Sequence, residues 1–138
     1  MISPHQTTYK AFTDGVTNDD RAAVAALVSR DFRAELGKGP LRFEGFWEEI
    51  TRQRTAFPDL GKNVKVAKVA EKGDTLRVSY DMTVTFSGPL TDGWGISYPP
   101  TGQTVVIPSA DLVEFDTDGK IRKLTVSSQV EMVIGQMF

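Results

Sequence analysis

Residues 76–86 read LRVSYDMTVTF, and in this stretch apolar and polar side chains alternate from end to end. The apolar side chains at every second position are Leu76, Val78, Tyr80, Met82, Val84 and Phe86. A period of two is the pattern of a β-strand, and the polar alternate positions indicate that only one face of it is buried. Half-buried strands are typical of antiparallel sheets, so we predict an antiparallel sheet in the second half of the chain.

Further strands are predicted on both sides of this stretch. Residues 64–69 alternate less regularly, and the turn sequence Lys72-Gly73-Asp74 joins them to residues 76–86 as a hairpin. Residues 105–115 form the next long strand. A turn at residues 116–119 leads from it into a partner strand that runs from Ile121 to about Val133. The expected product is a sheet of long strands joined by hairpins.

The first half of the chain has the spacing of helices instead. Apolar side chains recur at three- and four-residue intervals in residues 8–16, 22–29 and 43–56, which predicts three amphipathic helices. Asn18 or Asp19 is suited to cap the second helix. The third helix runs into a proline, which disfavours helical geometry in the residue before it and so ends the helix there.

Together these elements predict an α+β fold. We expect a conical barrel: a strongly curved, mainly antiparallel sheet with about three N-terminal helices covering its concave face and an internal pocket. Residues 1–138 are expected to form a single domain, because a second core would be too small to be stable. Residues 87–102 are rich in glycine and proline but contain Trp94, and we expect them to form a lid or rim.

Composition narrows the classes of function. The chain has no cysteine, which excludes disulfides, thiolate metal sites and cysteine nucleophiles. A formal net charge of -2 and the lack of a basic stripe argue against nucleic acid or a membrane surface as a partner. His5 is the single histidine, and no metal is expected. The first residues lack the basic and apolar segments of a signal peptide, so a cytoplasmic location is expected.

Four short stretches carry a resemblance to a known family. They are Ala56-Phe57-Pro58-Asp59-Leu60, Pro99-Pro100-Thr101-Gly102, Asp118-Gly119-Lys120-Ile121 and Ile134-Gly135-Gln136-Met137. In this order and spacing the chain resembles the SnoaL-like polyketide cyclases of the nuclear-transport-factor-2-like superfamily. The resemblance implies a conical barrel with a deep pocket, frequent homodimers, and no metal or organic cofactor.

The resemblance also implies a type of chemistry. Relatives perform acid–base reactions on carbonyl compounds, including aldol ring closure of polyketides and double-bond shifts in ketosteroids. Such reactions need a base that removes a proton beside a carbonyl and a donor that stabilises the enolate. Asp111 matches the acidic position of this strand in the relatives, and by strand parity it shares a face with Val113 and Phe115. A carboxyl on that face would line the pocket, whereas an aspartate bound to backbone or water is the alternative.

Several positions depart from the pattern of the relatives. Phe86 stands where many members have histidine, and Phe12 stands where the isomerase relatives have tyrosine. Leu36 falls near their general-base aspartate, and Thr125 replaces a common tryptophan. His5 is expected to be a surface residue in an unstructured start, so it offers no substitute for the missing histidine.

Candidates for the pocket wall combine aromatic, apolar and basic side chains. The predicted substrate-binding residues are Phe12, Trp47, Arg54, Tyr80, Met82, Phe86 and Trp94. An aromatic stripe is as compatible with plain core as with a pocket, and Arg54 either holds a substrate carboxylate or extends to the surface. Tyr80 has the better claim to a polar role because a buried hydroxyl needs a partner. Glu48 and Glu49 are interpreted as solvated.

Two hypotheses follow for the function. In the first, the protein is an enzyme that performs acid–base catalysis on a small hydrophobic carbonyl compound without a cofactor. Asp111 is then the catalytic residue, and residues 87–102 close over the substrate. In the second, the protein is a non-catalytic ligand-binding or dimerisation domain of the same fold, which the apolar Phe12, Leu36 and Phe86 favour. Both hypotheses expect a homodimer.

Overall fold

Three helices and eight strands form in the part of the chain that the computed structural model describes, residues 2–37, 39–91 and 95–128. The helices are α1 (Pro4–Thr17), α2 (Arg21–Ala25) and α3 (Phe43–Ala56). Helix α1 begins before the predicted residue 8, because the side chain of Ser3 accepts a hydrogen bond from the Gln6 N–H at 3.1 Å and Pro4 occupies the first turn. Helix α3 has the predicted bounds.

Helix α2 is shorter than predicted. Its cap is Asp20, which accepts a hydrogen bond from a backbone N–H at 3.2 Å, and neither Asn18 nor Asp19 caps it. The helix ends at Ala25 because residues 28–35 are recruited into the sheet, so the prediction of a helix over residues 22–29 was right for residues 22–25 and wrong beyond them. The apolar spacing of residues 22–29 is as compatible with a helix of five or six residues as with a longer one. Pairing in the sheet therefore decides where the helix ends.

The strands confirm the predicted order of hairpins. They are β1 (Val28–Glu35), β2 (Pro40–Leu41), β3 (Val64–Lys72), β4 (Thr75–Thr85), β5 (Leu90–Thr91), β6 (Ser97–Tyr98), β7 (Thr104–Phe115) and β8 (Ile121–Ser128). Residues 129–133, the rest of the predicted last strand, lie outside the described residues, as do residues 134–137 of the family resemblance and Trp94.

Six of the strands form one sheet in the order β2-β1-β8-β7-β4-β3. Neighbouring strands are antiparallel except β1 and β8, which pair in parallel. Irregularities in the register interrupt the pairs β1–β8, β3–β4 and β7–β8, and such bulges increase the local bend of a sheet. Strands β5 and β6 form a separate two-stranded ribbon within the predicted lid, residues 87–102.

The core lies between the concave face of the sheet and the helices. One cluster centres on Phe12 of α1, Phe46 of α3 and Phe32 of β1, with ring centroids 5.7 Å apart for Phe32 and Phe46. A second cluster beneath the β5–β6 ribbon includes Phe57 and Phe86. Each such burial stabilises the fold by roughly 1.5–3 kcal/mol. Among the described residues, no helix has the length and apolar character that crossing a membrane requires.

Candidate active site

A pocket with a volume of about 1760 Å³ lies between helices α1 and α3 and the concave face of the sheet. Its sheet side includes Val64 and Val66 of β3, which pair with Met82 and Tyr80 and therefore share their face. Val66 is 54% exposed, so the pocket is open to solvent along the β3 edge. The pocket volume includes this open region beside β3, which a bound apolar ligand would shield from solvent.

Asp111 is the polar centre of the pocket. Its side chain lies on β7, is 6% exposed, and lines the pocket on the same face as Val113 and Phe115. One carboxyl oxygen, Oδ2, accepts a hydrogen bond from the Tyr9 hydroxyl at 2.6 Å, and Oδ1 accepts one from the Tyr80 hydroxyl at 2.9 Å. Two neutral donors thus hold the carboxyl in place from two different elements.

The backbone explains why these three side chains meet. Asp111 pairs with Val78 and Ser109 pairs with Tyr80 across the β4–β7 ladder, so Tyr80 and Asp111 are diagonal neighbours on one face. Tyr9 lies one helical turn before Phe12 on α1, and both side chains line the pocket. Helix α1 therefore delivers the second hydroxyl from the side opposite the sheet.

Burial dominates the electrostatics of this group. It raises the pKa of Asp111, and the hydrogen bonds from Tyr9 and Tyr80 oppose that rise in part. Burial and the charge of Asp111 also raise the pKa values of Tyr9 and Tyr80 well above that of free tyrosine. Both tyrosines therefore stay protonated as donors at neutral pH, while Asp111 is suited to take up and release a proton.

Tyr9 is the site residue that sequence reasoning missed. The alignment with the isomerase relatives placed Phe12 at their tyrosine, and Phe12 is an apolar part of the pocket wall. The hydroxyl comes instead from three residues earlier, which is the same face of the helix. A tyrosine among the apolar positions of a short helix was the available signal, because a buried hydroxyl needs a partner.

The predicted pocket residues divide into two groups. Phe12, Tyr80 and Met82 line the pocket. Phe86 does not, because its fully buried ring packs against Phe57 in the second cluster at a centroid distance of 5.5 Å. Trp47 also lies outside the wall and stacks on Phe43 at 6.1 Å. Phe86 and Trp47 therefore pack with the hydrophobic core and do not line the pocket.

Arg54 connects helices instead of holding a ligand. Its Nη2 donates to the carbonyl of Val16 at 2.6 Å and its Nη1 donates to Asp19 at 2.8 Å. The guanidinium also lies 5.7 Å from the ring centroid of Trp47. Since Arg54 is not part of the pocket wall, the prediction of a substrate carboxylate at Arg54 was wrong: the side chain caps the end of α1 and ties it to α3.

His5 is not in an unstructured start, as predicted, but in the first turn of α1. Its ring stacks on Phe115 with centroids 4.1 Å apart, and its Nδ1 lies 3.4 Å from a carboxyl oxygen of Glu71. The hydroxyl of Ser3 and the amide of Gln6 also bind Glu71, and the Ser3 hydrogen bond holds the pKa of that carboxyl below its usual range. These contacts fasten the start of α1 to β3.

A second polar group lies on the helical wall of the pocket. Glu49, Arg52 and Gln53 of α3 line it, and Glu49 binds the other two. The prediction of a solvated side chain is therefore wrong for Glu49 and agrees with the exposed Glu48.

Across residues 2–37, 39–91 and 95–128, no three acidic or histidine side chains gather in a group that could hold a metal ion.

Comparison with known proteins places this geometry in a fold class and then in a family. The arrangement of helices and curved sheet is that of the nuclear-transport-factor-2-like fold, and the sequence model of the SnoaL-like domain matches residues 9–124. The chain therefore belongs to the SnoaL-like domain family. No curated protein sequence matches the chain significantly.

Solved structures share the fold at low sequence identity. A candidate SnoaL-like polyketide cyclase from Jannaschia sp. CCS1 has a TM-score of 0.80 at 22% identity, over 95% of this chain and 89% of that chain. IdmH, a candidate polyketide cyclase from Streptomyces antibioticus, has a TM-score of 0.76 at 19% identity, over 96% and 97%. AclR, a candidate hydroxylase from Streptomyces galilaeus, has a TM-score of 0.73 at 18% identity, over 93% and 80%. A shared fold does not define a shared reaction, which depends on the residues of the site.

Proposed function

We propose that this protein is an enzyme that performs acid–base catalysis, an aldol cyclisation or an isomerisation, on a hydrophobic carbonyl compound without a cofactor. The observation that carries the proposal is the buried Asp111 carboxyl in a large pocket, held by the hydroxyls of Tyr9 and Tyr80. A carboxyl with a raised pKa is a better base at neutral pH than a solvated aspartate, and its neighbours supply two neutral donors.

In the proposed first step, Asp111 removes a proton from the carbon beside the substrate carbonyl. The C–H bond breaks, the proton moves to a carboxylate oxygen, and the electron pair moves into the enolate. A protonated Asp111 accepts hydrogen bonds less strongly, so Tyr9 or Tyr80 can redirect its hydroxyl to the enolate oxygen. The raised pKa values of both tyrosines keep them protonated in that role.

The second step returns the proton. In an isomerisation, Asp111 delivers it to a different carbon of the conjugated system. In an aldol ring closure, the enolate carbon attacks a second carbonyl of the same molecule, a C–C bond forms, and Asp111 protonates the resulting alkoxide. Either sequence leaves the enzyme unchanged and requires no external oxidant or reductant.

The pocket wall supports an apolar substrate of more than one ring. Apolar side chains come from the sheet, from both long helices and from the β5–β6 ribbon, where Leu90 and Tyr98 line the pocket. A ligand in this position would also cover Val66, which is otherwise exposed. The ribbon is the part of residues 87–102 that we expect to close over the substrate.

The proposal includes a homodimer of single-domain chains in the cytoplasm. Val106 is 53% exposed on β7, and strand parity puts it on the face opposite Asp111, where a second sheet could cover it. The absence of cysteine agrees with a reducing compartment. Light scattering coupled to gel filtration measures the mass, and a monomer at micromolar concentration would contradict the dimer.

Proton exchange tests the catalytic proposal without knowledge of the substrate. The two-ring ketone 2-tetralone is incubated in D₂O with the protein, and loss of its α-proton signals is followed by NMR. We expect the wild type to accelerate exchange and Asp111→Asn to lose about 100-fold of that acceleration. Asp81→Asn, on the outer face of β4, is the matched control and should behave as the wild type.

Two outcomes would contradict catalysis. Equal exchange in the wild type and Asp111→Asn would remove Asp111 from the reaction. Binding of the ketone without acceleration would favour a non-catalytic pocket protein, a function for which the apolar Phe12 and Leu36 in the pocket wall are the supporting observation.

A further inference from the structure

The pocket contains a second polar group, on a different wall from Asp111. Glu49, Arg52 and Gln53 project from α3 on the helical wall, whereas Asp111 and Tyr80 project from the sheet. Polar side chains in a mostly apolar pocket fix the orientation of a ligand, because an apolar wall alone does not distinguish its two ends. The chemistry of this second group therefore bears on which ligand the pocket accepts.

The geometry of the group is that of a shared carboxylate. Arg52 donates to both carboxyl oxygens of Glu49, through Nε to Oε2 at 3.1 Å and through Nη2 to Oε1. Gln53 adds a hydrogen bond from its amide nitrogen to Oε1 at 3.3 Å. The side chains of Arg52 and Glu49 are 32% and 21% exposed, so the pair is partly shielded from water.

Two polar atoms of the group keep free bonding capacity. In the described part of the chain, Nη1 of Arg52 and the side-chain oxygen of Gln53 bind no other residue. The first is a donor and the second is an acceptor. Because Glu49 already balances the charge of Arg52, the group offers hydrogen bonds without a net positive charge.

We propose that Glu49, Arg52 and Gln53 form a subsite for a neutral oxygen substituent, a hydroxyl or a ketone, on a part of the substrate other than the reacting carbonyl. The inference rests on the proposed function and narrows its substrate class to multi-ring carbonyl compounds with a second oxygen substituent. A hydroxyl can accept from Arg52 and donate to Gln53. A carboxylate has no proton to donate and meets the negative charge of Glu49, so the subsite rejects it.

Three matched ketones test the subsite. They are 2-tetralone, the same ketone with a hydroxyl on its aromatic ring, and the same ketone with a carboxylate at that position. Dissociation constants are measured by NMR titration at neutral pH. We expect the hydroxyl compound to bind the wild type about 10-fold more tightly than 2-tetralone, the effect of one hydrogen bond to a charged group. The carboxylate compound should bind more weakly than the hydroxyl compound.

Variants of the subsite should change this ranking in opposite ways. Glu49→Gln leaves the charge of Arg52 unbalanced, so the carboxylate compound should gain about 10-fold in affinity. Arg52→Met removes the donor, so the hydroxyl compound should lose its advantage over 2-tetralone. Glu44→Gln is the matched control: Glu44 lies on α3 like Glu49 and also pairs with an arginine, Arg21 of α2, but it lies outside the pocket wall.

Thermal unfolding of each variant shows whether it is folded, and Glu49→Gln, which preserves shape, remains informative if Arg52→Met does not fold. An unchanged ranking in Glu49→Gln, or the same change in Glu44→Gln, would overturn the subsite and leave an ordinary helical ion pair. Catalysis is tested separately by the exchange of the α-protons of 2-tetralone. The expected ranking of the three affinities can therefore be observed even if the protein does not accelerate that exchange. Failure of all three ketones to bind the wild type would overturn both proposals.

Discussion

Tyr9 and Asp111 lie 102 residues apart in sequence and are joined by a hydrogen bond of 2.6 Å. The bond links the first helix to the longest strand of the sheet. Since Tyr80 binds the other carboxyl oxygen from within the sheet, the position of Asp111 depends on both layers of the fold. Any displacement of α1 would therefore alter the proton affinity of the buried carboxyl.

Removal of either tyrosine hydroxyl should raise the pKa of Asp111 further. Tyr9→Phe and Tyr80→Phe each remove a donor that stabilises the charged carboxylate, and the larger rise is expected for Tyr9→Phe. Carbon NMR of the aspartate carboxyls follows the titration, with the Asp111 signal assigned by Asp111→Asn. Tyr98→Phe, the third tyrosine, makes no bond to Asp111 and should leave the titration unchanged. A fall of the pKa in Tyr9→Phe would contradict the geometry of this contact.

The stability of the fold should depend on pH through Asp111. The pKa of Asp111 is raised in the folded protein, whereas an unfolded aspartate titrates near ~3.9. Between these values the folded state binds more protons than the unfolded state, so the free energy of unfolding falls as pH rises through this window. Asp111→Asn lacks this dependence, and its stability relative to the wild type should therefore increase from pH 4 upwards.

Urea unfolding of both proteins at several pH values measures that difference. The informative quantity is the slope of this stability difference against pH and not its absolute value, because the asparagine also changes the hydrogen bonds to the tyrosines at every pH. Asp81→Asn, on the exposed face of β4, is the matched control for the loss of one aspartate. A difference that is constant or shrinks with pH would show that Asp111 is ionised at little cost in the folded protein.

Arg54→Met should destabilise the fold and leave ligand affinity unchanged. The substitution leaves the Val16 carbonyl without its charged donor and breaks the ion pair with Asp19, and a loss of about 1–3 kcal/mol is expected from urea unfolding. Arg21→Met, which breaks a more exposed ion pair with Glu44, should cost less than about 1 kcal/mol. Weaker binding of the carboxylate ketone by Arg54→Met would return Arg54 to the ligand site.

Gly88→Ala should be strongly destabilising for a steric reason. A Cβ at this position would lie 1.8 Å from the backbone carbonyl oxygen of Thr55, so the end of α3 would have to move away from the chain that follows β4. We expect a loss of about 3 kcal/mol in urea unfolding. Gly102→Ala is the control: its φ of 73° disfavours a side chain, but in the described part of the chain no atom beyond its neighbours in sequence lies within 4 Å of the added Cβ, and a loss of about 1–2 kcal/mol is expected. Equal losses would contradict the clash.

The sheet was largely predictable because its information is local. Alternation in residues 76–86 identified β4 and its buried face, and the same parity placed Asp111 of β7 with Val113 and Phe115. The turns at residues 72–74 and 116–119 then fixed which long strands are neighbours. A hairpin is specified by short-range patterns, namely alternation in its strands and suitable residues in its turn, and the sequence contains both.

Features that depend on distant partners were not predictable in this way. The spacing of residues 22–29 suits a short helix, and only the pairing of β1 with β8 converts Val28 into the start of a strand. Glu49 was read as solvated because adjacent glutamates cannot both face inward, but the rule does not say which of the two does. His5 gained a fixed position from Phe115 and Glu71, neither of which is near it in sequence.

The aromatic residues show why a pocket wall is harder to predict than a core. Phe86 and Tyr80 lie on the same face of β4, yet Phe86 is sealed beneath the β5–β6 ribbon and Tyr80 lines the pocket. Strand parity predicts which face of the sheet a side chain lies on. It does not predict the position of the side chain along the barrel, and that position relative to helices α1 and α3 decides between core and pocket wall. The family histidine position is therefore occupied here by a core residue.

The parallel pairing of β1 with β8 has a consequence for the order in which the molecule is completed during synthesis. β1 leaves the ribosome early, but apart from the two-residue β2 its neighbour in the sheet is β8, the last strand described. Until then the sheet beneath the apolar face of α1 is incomplete, and exposed apolar surface in a nascent chain promotes chaperone binding and aggregation. A chain that ends at residue 103 should accordingly show no cooperative unfolding transition. The ligand pocket is thus completed only after β8 has been made, and no substrate can bind before then.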